Sequence, residues 1–373
     1  EPQAKSLDSQ SFEFLFTHVI CTMRDGRRVE RQKSFLPLTR KAVMANVLQN
    51  ESSIMTKVGF IGAGDISLLH AEGVKETHGA ELVGIWNRTR SRADEKAALF
   101  DCQVFDSPEA LMEAVDVVYV LTNMETHHEY ALMAIERGCH VLVEKPTAIT
   151  IEEILEMKEA ATAKGVKIAP VHNYIYEPSV MRAKDLIKSG KLGDLVAVYV
   201  LYNIHHPEEV AERYPGVIRQ ILTHHAYCTL YAVGEPEKVS CMKATVNDGS
   251  VPQENIAMAT LKMKNGALAH LCASFAADDH AGDPWTFMIK VIGTKGTTRY
   301  SYRDWVENTP AVVHSQTYSA YPYTIRATGK HFIERVVGLG EEPLSTLDDA
   351  ITCMKIIEAC ETSVEEERHV GIE

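Results

Sequence analysis

At 373 residues the chain exceeds the roughly 250 to 300 residues at which one hydrophobic core stops growing, so two domains are expected. Its 45% hydrophobic and 24% charged residues are the balance of a globular protein and exclude extensive disorder. The 38 Lys and Arg against 51 Asp and Glu give a net charge of −13, a field that repels nucleic acid and anionic membranes.

Cysteines at 21, 102, 139, 228, 241, 272, 353 and 360 form no C-x-x-C pair or short ladder, which argues against a disulfide framework or a metal site. No apolar run reaches the about 18 to 20 residues of a membrane span, and no signal-peptide pattern is seen. The expectation is a cytoplasmic protein.

Residues Phe12 to Leu38 alternate apolar and polar around Arg24-Asp25-Gly26-Arg27, the pattern of a β-hairpin. Residues 1–55 are therefore expected to form an N-terminal extension that packs as an arm in an oligomer interface, or on its own subunit. From residue 56 short apolar strands (Val58 to Ile61, Leu82 to Trp86, Val117 to Leu121, His140 to Val143, Lys167 to Val171) alternate with helical stretches such as Ile151 to Ala163. That alternation predicts an α/β Rossmann domain over 56–175, with a doubly wound parallel sheet.

After Pro178 a helix over Val180 to Lys188 ends at Ser189-Gly190, and later segments alternate with period two: Ala257 to Met263, Ala267 to Phe275 and Thr286 to Ile292. These predict a C-terminal α+β domain over 176–373 with a large open, mostly antiparallel sheet, the boundary falling within 172–180.

Gly62-Ala63-Gly64-Asp65-Ile66-Ser67 follows a predicted strand and opens a predicted helix, the setting in which glycines form a dinucleotide turn. Gly62 supplies the turn, Gly64 admits the pyrophosphate, and small Ser67 replaces the third glycine at the strand–helix contact. The end of the second strand, where an acid selects NAD by bonding the ribose, holds Asn87, followed by Arg88, Thr89 and Arg90. A neutral residue and two cations favour a 2′-phosphate, hence NADP, while Asn87 leaves NAD open. Asp65, Ile66, Thr122, Asn123, His127 and Glu144 complete the expected cofactor contacts.

Val141-Leu142-Val143-Glu144-Lys145-Pro146 resembles the signature of the glucose-fructose oxidoreductase, inositol dehydrogenase and rhizopine-catabolism (Gfo/Idh/MocA) superfamily. Asn173-Tyr174, Pro178, Lys188 to Gly193, Ile292 to Thr297, His331-Phe332 and Leu347 to Ala359 are similar to its later segments, so the likeness spans about residues 56 to 370.

The resemblance implies a Rossmann domain plus a sheet whose open face builds a dimer or tetramer. It also implies that Lys145 sits beside nicotinamide and substrate. With an ordinary pKa of about 10.4, such a lysine needs burial or a neighbouring cation to exchange protons near neutrality. The family's Asp and His, four residues apart before a Gly-x-Pro turn, fall on Gln220 and His224, counted back from Gly234-Glu235-Pro236. Gln220 exchanges no proton and can only orient substrate. His224 is the expected acid/base, with His225 the neighbour if the register differs by one.

Tyr174, Tyr176, Asn203, His205, His206 and His225 are expected to line a pocket for a hydroxyl-rich substrate. Adjacent histidines without a carboxylate or cysteine ladder argue against metal. The expected activity is NAD(P)-dependent hydride transfer at a hydroxyl or keto carbon of a sugar, glycoside or cyclic polyol, in a homo-oligomer. Two alternatives stay open: a glycosidase that oxidises a sugar transiently on bound NAD, and a non-catalytic nucleotide-sensing regulator, for which Gln220 is the best support.

Overall fold

The runs Val58-Gly59-Phe60-Ile61, Val117-Val118-Tyr119-Val120 and Val141-Leu142-Val143 lack alternation, and they fold as strands buried on both faces, as a covered parallel sheet requires. The computed structural model describes residues 55–206, 211–212, 215–246, 253–276, 285–301 and 320–373, all within one unit running from Ile54 to Glu373. The hairpin expected between Phe12 and Leu38 lies outside the described residues.

The first sheet contains β1 (Thr56–Ile61), β2 (Ala80–Trp86), β3 (Gln103–Val104), β4 (Val117–Val120), β5 (His140–Val143) and β6 (Ile168–Pro170), all parallel, in the order β3-β2-β1-β4-β5-β6. Its connections are α1 (Ile66–Glu76), α2 (Arg90–Phe100), α3 (Pro108–Met112), α4 (His127–Glu136) and α5 (Ile151–Lys164). Strand order reverses between β1 and β4, and a crevice for a ligand opens at the carboxyl ends of the strands there. Helix α5 shows how locally the sequence sets its ends. Thr150 and Glu153 form a reciprocal capping box, and Gly165 closes the helix in the left-handed region at φ 69°.

The second half begins with α6 (Pro178–Lys188), two residues earlier than the sequence predicts. Pro178 fits the first helical turn, and the Glu177 carboxylate accepts the Ser179 and Val180 N–H groups at 2.6 and 3.0 Å. The second sheet contains β7 (Leu195–Ile204), β8 (Pro236–Ala244), β9 (Ile256–Met263), β10 (Leu268–Ser274), β11 (Trp285–Gly293), β12 (Thr297–Ser301) and β13 (Val370–Gly371), in the order β12-β11-β7-β10-β9-β8-β13. Its pairs are antiparallel except β7 with β10.

Alternation sorts its faces. Ala257, Ala259, Leu261 and Met263 face a core under α7 (Thr223–Val233) and α9 (Leu347–Glu365), whereas Tyr199, Met242, Met258 and Leu268 stand exposed on the opposite, open face.

The C-terminal residues, expected to belong wholly to the second domain, serve both. Helix α8 (Ala320–His331) returns to the Rossmann half and lies on α1, where Arg326 pairs with Glu72 at 3.0 Å and Glu76 at 3.2 Å. Gly73 permits this approach, since a Cβ there would stand 3.0 Å from the Arg326 Cα. Helix α9 places Leu347, Ala350 and Met354 in a Rossmann core and Ile356, Ile357 and Cys360 in the core of the second half.

Candidate active site

At the β1–β4 switch point a cleft of about 290 Å³ is lined by Gly62, Ala63, Gly64, Trp86, Asn87, Arg88, Thr89, Arg92, Leu121, Thr122, Asn123, Glu125, Thr126 and Tyr130. Gly62 has φ 112°, and a Cβ there would lie 2.6 Å from the Leu121 carbonyl oxygen, so only glycine fits. A Cβ on Gly64 would meet nothing within 4 Å; that open cradle, beside a helix start with no side-chain cap, fits a pyrophosphate.

Ser67 is fully buried at the strand–helix contact and donates its hydroxyl to the Gly64 carbonyl at 2.6 Å. Ile66 is half-buried on α1 and Asp65 is exposed. Asn87 is committed to the turn, accepting the Ala63 N–H at 3.1 Å and donating to the Thr89 carbonyl at 2.9 Å. Arg90 is held by Asp94 and Asp106 at 2.9 and 2.6 Å, and the cations lining the cleft are Arg88 and Arg92.

Two residues expected to contact the cofactor are struts beside the cleft. His127 is buried, with Nδ1 2.8 Å from the Pro146 carbonyl and Nε2 3.0 Å from the Thr122 carbonyl, and so ties the end of β4 to the Glu-Lys-Pro turn. Glu144 meets Nε2 of His70 on α1 at 3.0 Å and accepts the Lys145 backbone N–H at 3.0 Å. Burial pushes the Glu144 carboxyl up, but the His70 bond and the charges of His70 and Lys145 outweigh it and hold it below the usual range. His70, three residues after Ser67, had no place in the sequence reading.

Lys145 stands half-buried after β5, joined to Pro146 by a cis peptide. Burial lowers its pKa, and the attraction of Glu144 opposes the shift. His224 is buried at the start of α7. Its pKa falls well below the ordinary value because of burial first, then the Lys145 charge. His206 is lowered to about 4 by burial, with His205 and Lys145 adding to it. Both imidazoles therefore stay neutral near pH 7. Gln220 is half-buried in the π-helical turn Ile218–Leu222, one turn before His224, and makes no side-chain hydrogen bond among the described residues.

Aromatic rings wall His224. Tyr174 stands 5.0 Å from it edge-on, 4.3 Å from Phe287 and 6.1 Å from Tyr202, whose hydroxyl accepts that of Tyr174 at 3.3 Å. The other expected substrate residues point elsewhere. Tyr176 sits two residues after Tyr174 on a 3₁₀ segment, about 240° around the turn; it faces His331 and the Leu344 backbone. Asn203 falls on the open face of β7, because Val198, Val200, Tyr202 and Ile204 occupy the inner one, and His205 is exposed just past the end of the strand. His225, about 100° around the helix from His224, is fully enclosed and has no partner at either ring nitrogen among the described residues.

The family model described as "Oxidoreductase family, NAD-binding Rossmann fold" matches residues 56–172, and the "GFO/IDH/MocA C-terminal domain" matches residues 180–299. The chain belongs to the Gfo/Idh/MocA oxidoreductase family.

Among curated Gfo/Idh/MocA relatives, glucose-6-phosphate 3-dehydrogenase of Bacillus subtilis is 34% identical over 146 residues, 39% of this chain and 42% of that protein. The match spans less than half of the relative's length. The 1,5-anhydro-D-fructose reductase of Ensifer adhaerens is 28% identical over 234 residues, 59% of this chain and 70% of that protein. The crystal structure of apo scyllo-inositol dehydrogenase from Lactobacillus casei superposes with a TM-score of 0.77 at 17% identity, covering 86% of this chain and 99% of that one. Such a likeness shows the fold.

Proposed function

We propose that this protein is an NAD(P)-dependent oxidoreductase acting on a CH–OH or keto carbon of a sugar, glycoside or cyclic polyol. The observation that carries the proposal is the buried imidazole of His224, 5.0 Å from Tyr174 and 6.0 Å from Tyr202 in an aromatic wall that Phe287 completes, in a chain whose nucleotide-binding sheet carries Lys145 just past the carboxyl end of β5. Bound nicotinamide supplies the hydride chemistry. Gly62, Gly64, Thr122 and Asn123 hold the dinucleotide, and Arg88 and Arg92 favour NADP through its 2′-phosphate.

Aromatic faces take the substrate's C–H surface and exclude water. Lys145 steadies the reacting oxygen, and His224 receives its proton during oxidation and returns it during reduction. The exposed apolar face of the second sheet supports a homo-oligomer, a dimer or tetramer. The sugar names of the curated relatives support the substrate class.

The test is calorimetric binding of NAD, NADH, NADP and NADPH, then a hydride-transfer screen over inositols, aldoses and glycosides with the tightest binder. Turnover abolished by Lys145→Ala with cofactor binding retained supports the proposal. Tight binding without turnover on any member of the panel refutes it.

A further inference from the structure

Hydrogen atoms can be counted along a buried chain behind His224. Its Nδ1 lies 2.7 Å from the Tyr227 hydroxyl. That hydroxyl is 3.1 Å from the Asn173 side-chain oxygen and accepts the Tyr174 backbone N–H at 3.3 Å. Asn173 Nδ2 is 2.8 Å from the Thr324 hydroxyl, which is 2.8 Å from the Tyr321 carbonyl. All four side chains are buried. They come from α7, the 3₁₀ segment Asn173–Tyr176 and α8.

A carbonyl oxygen only accepts, and two oxygens at such a distance repel unless a proton lies between them, so the single Thr324 proton points to Tyr321. Thr324 must then accept from Asn173, which fixes the amide with its oxygen toward Tyr227. Tyr227 has one proton and gives it to that oxygen. Toward His224 it can only accept, so the proton between them belongs to Nδ1. A neutral imidazole carries one ring proton, and Nε2 is left with its lone pair.

We infer that Tyr227, Asn173 and Thr324 are positioning residues that hold His224 as the Nδ1–H tautomer, making Nε2 the atom that takes the substrate's hydroxyl proton. The catalytic half of this inference rests on the dehydrogenase reading; the tautomer does not. In oxidation the C–H pair leaves as hydride to the nicotinamide, the O–H proton bonds to Nε2, and the C–O bond becomes a carbonyl. The chain runs one way. The Asn173 amide passes no proton on, so the proton gained at Nε2 does not leave along this chain and is returned from Nε2 itself. With Gln220 standing where the resemblance places an acid, orientation of the imidazole falls to Tyr227, one turn after His224 instead of one turn before it.

The test is a long-range ¹H–¹⁵N correlation spectrum of histidine-labelled protein, with His224 assigned by loss of its signals in His224→Gln. The expected pattern is a protonated Nδ1 and a bare Nε2; a proton on Nε2 overturns the inference. Tyr227→Phe keeps the ring stacked 4.3 Å over His172 but removes the acceptor, and Thr324→Val removes the far end without touching His224. Both are expected to mix the tautomers and lower kcat about 10-fold or more with KM nearly unchanged. An unmixed spectrum in both variants, or mixed tautomers with unchanged kcat, refutes the positioning role. A wild type that turns over no polyol overturns the dehydrogenase reading instead, and the spectrum still decides the tautomer.

Discussion

His225→Leu is expected to stabilise this protein, and to do so more strongly in acid. His225 is fully enclosed, both its ring nitrogens lack partners among the described residues, and burial lowers its pKa to about 3. Leaving a buried polar group unpaired costs about 1–3 kcal/mol, and Leu fills a similar volume with a better helix propensity. Near neutrality the variant should therefore gain about 1–2 kcal/mol.

The pH dependence adds to this. The folded-state pKa lies below the unfolded value of 6.5, so the wild-type contribution is intact above 6.5 and is lost as pH falls toward 3. At about pH 5 the unfolded wild type binds a proton that the folded form refuses, a penalty of about 2 kcal/mol relative to about pH 7.5 that Leu abolishes. Urea denaturation of both proteins at the two pH values measures the difference. A variant destabilised by more than about 1 kcal/mol at both would show that the nitrogens are satisfied, and the reasoning fails.

Arg88→Ala should weaken NADP binding about 10- to 100-fold by deleting a charge-assisted contact, with NAD affinity unchanged; calorimetry on both nucleotides decides it. Gly62→Ala should cost about 3 kcal/mol, combining a disfavoured φ with a Cβ driven against the Leu121 carbonyl, and a urea midpoint within error of wild type would refute this. Glu144→Ala strips His70 of its partner and should cost about 1–3 kcal/mol in thermal melts near neutrality. Because the folded-state pKa of Glu144 is held below the ordinary 4.5, wild type loses that contribution as pH falls below 4.5, and the penalty of the variant should shrink there.

Residues whose roles depend on local pattern were legible in the sequence. The unbroken apolar runs of β1, β4 and β5, and the setting of Gly62 and Gly64 between strand and helix, fixed the first half because neighbours in sequence make the contacts. The alternation of β7 was equally available. Val198, Val200, Tyr202 and Ile204 mark the inner face, which sends Asn203 outward. Tyr227 also had a signal, lying three residues after His224 on one helix face.

What sequence could not supply was tertiary pairing. His70 reaches Glu144 across 74 positions and Asn173 reaches Thr324 across 151, and no local periodicity encodes such meetings. The turn of Tyr176 away from Tyr174 depends on a 3₁₀ segment whose tighter winding has no compositional mark.

Helix α9 ties the two halves in time as well as in space. During synthesis the Rossmann sheet leaves the ribosome long before Leu347 does, yet its core still lacks Ala350 and Met354, while the second sheet awaits Ile356 and Ile357 from the same helix. Neither half can finish alone, so a nascent chain stopped before residue 347 presents two incomplete apolar surfaces to chaperones and proteases at once. Completion of one helix closes both cores, so the two halves are expected to unfold together.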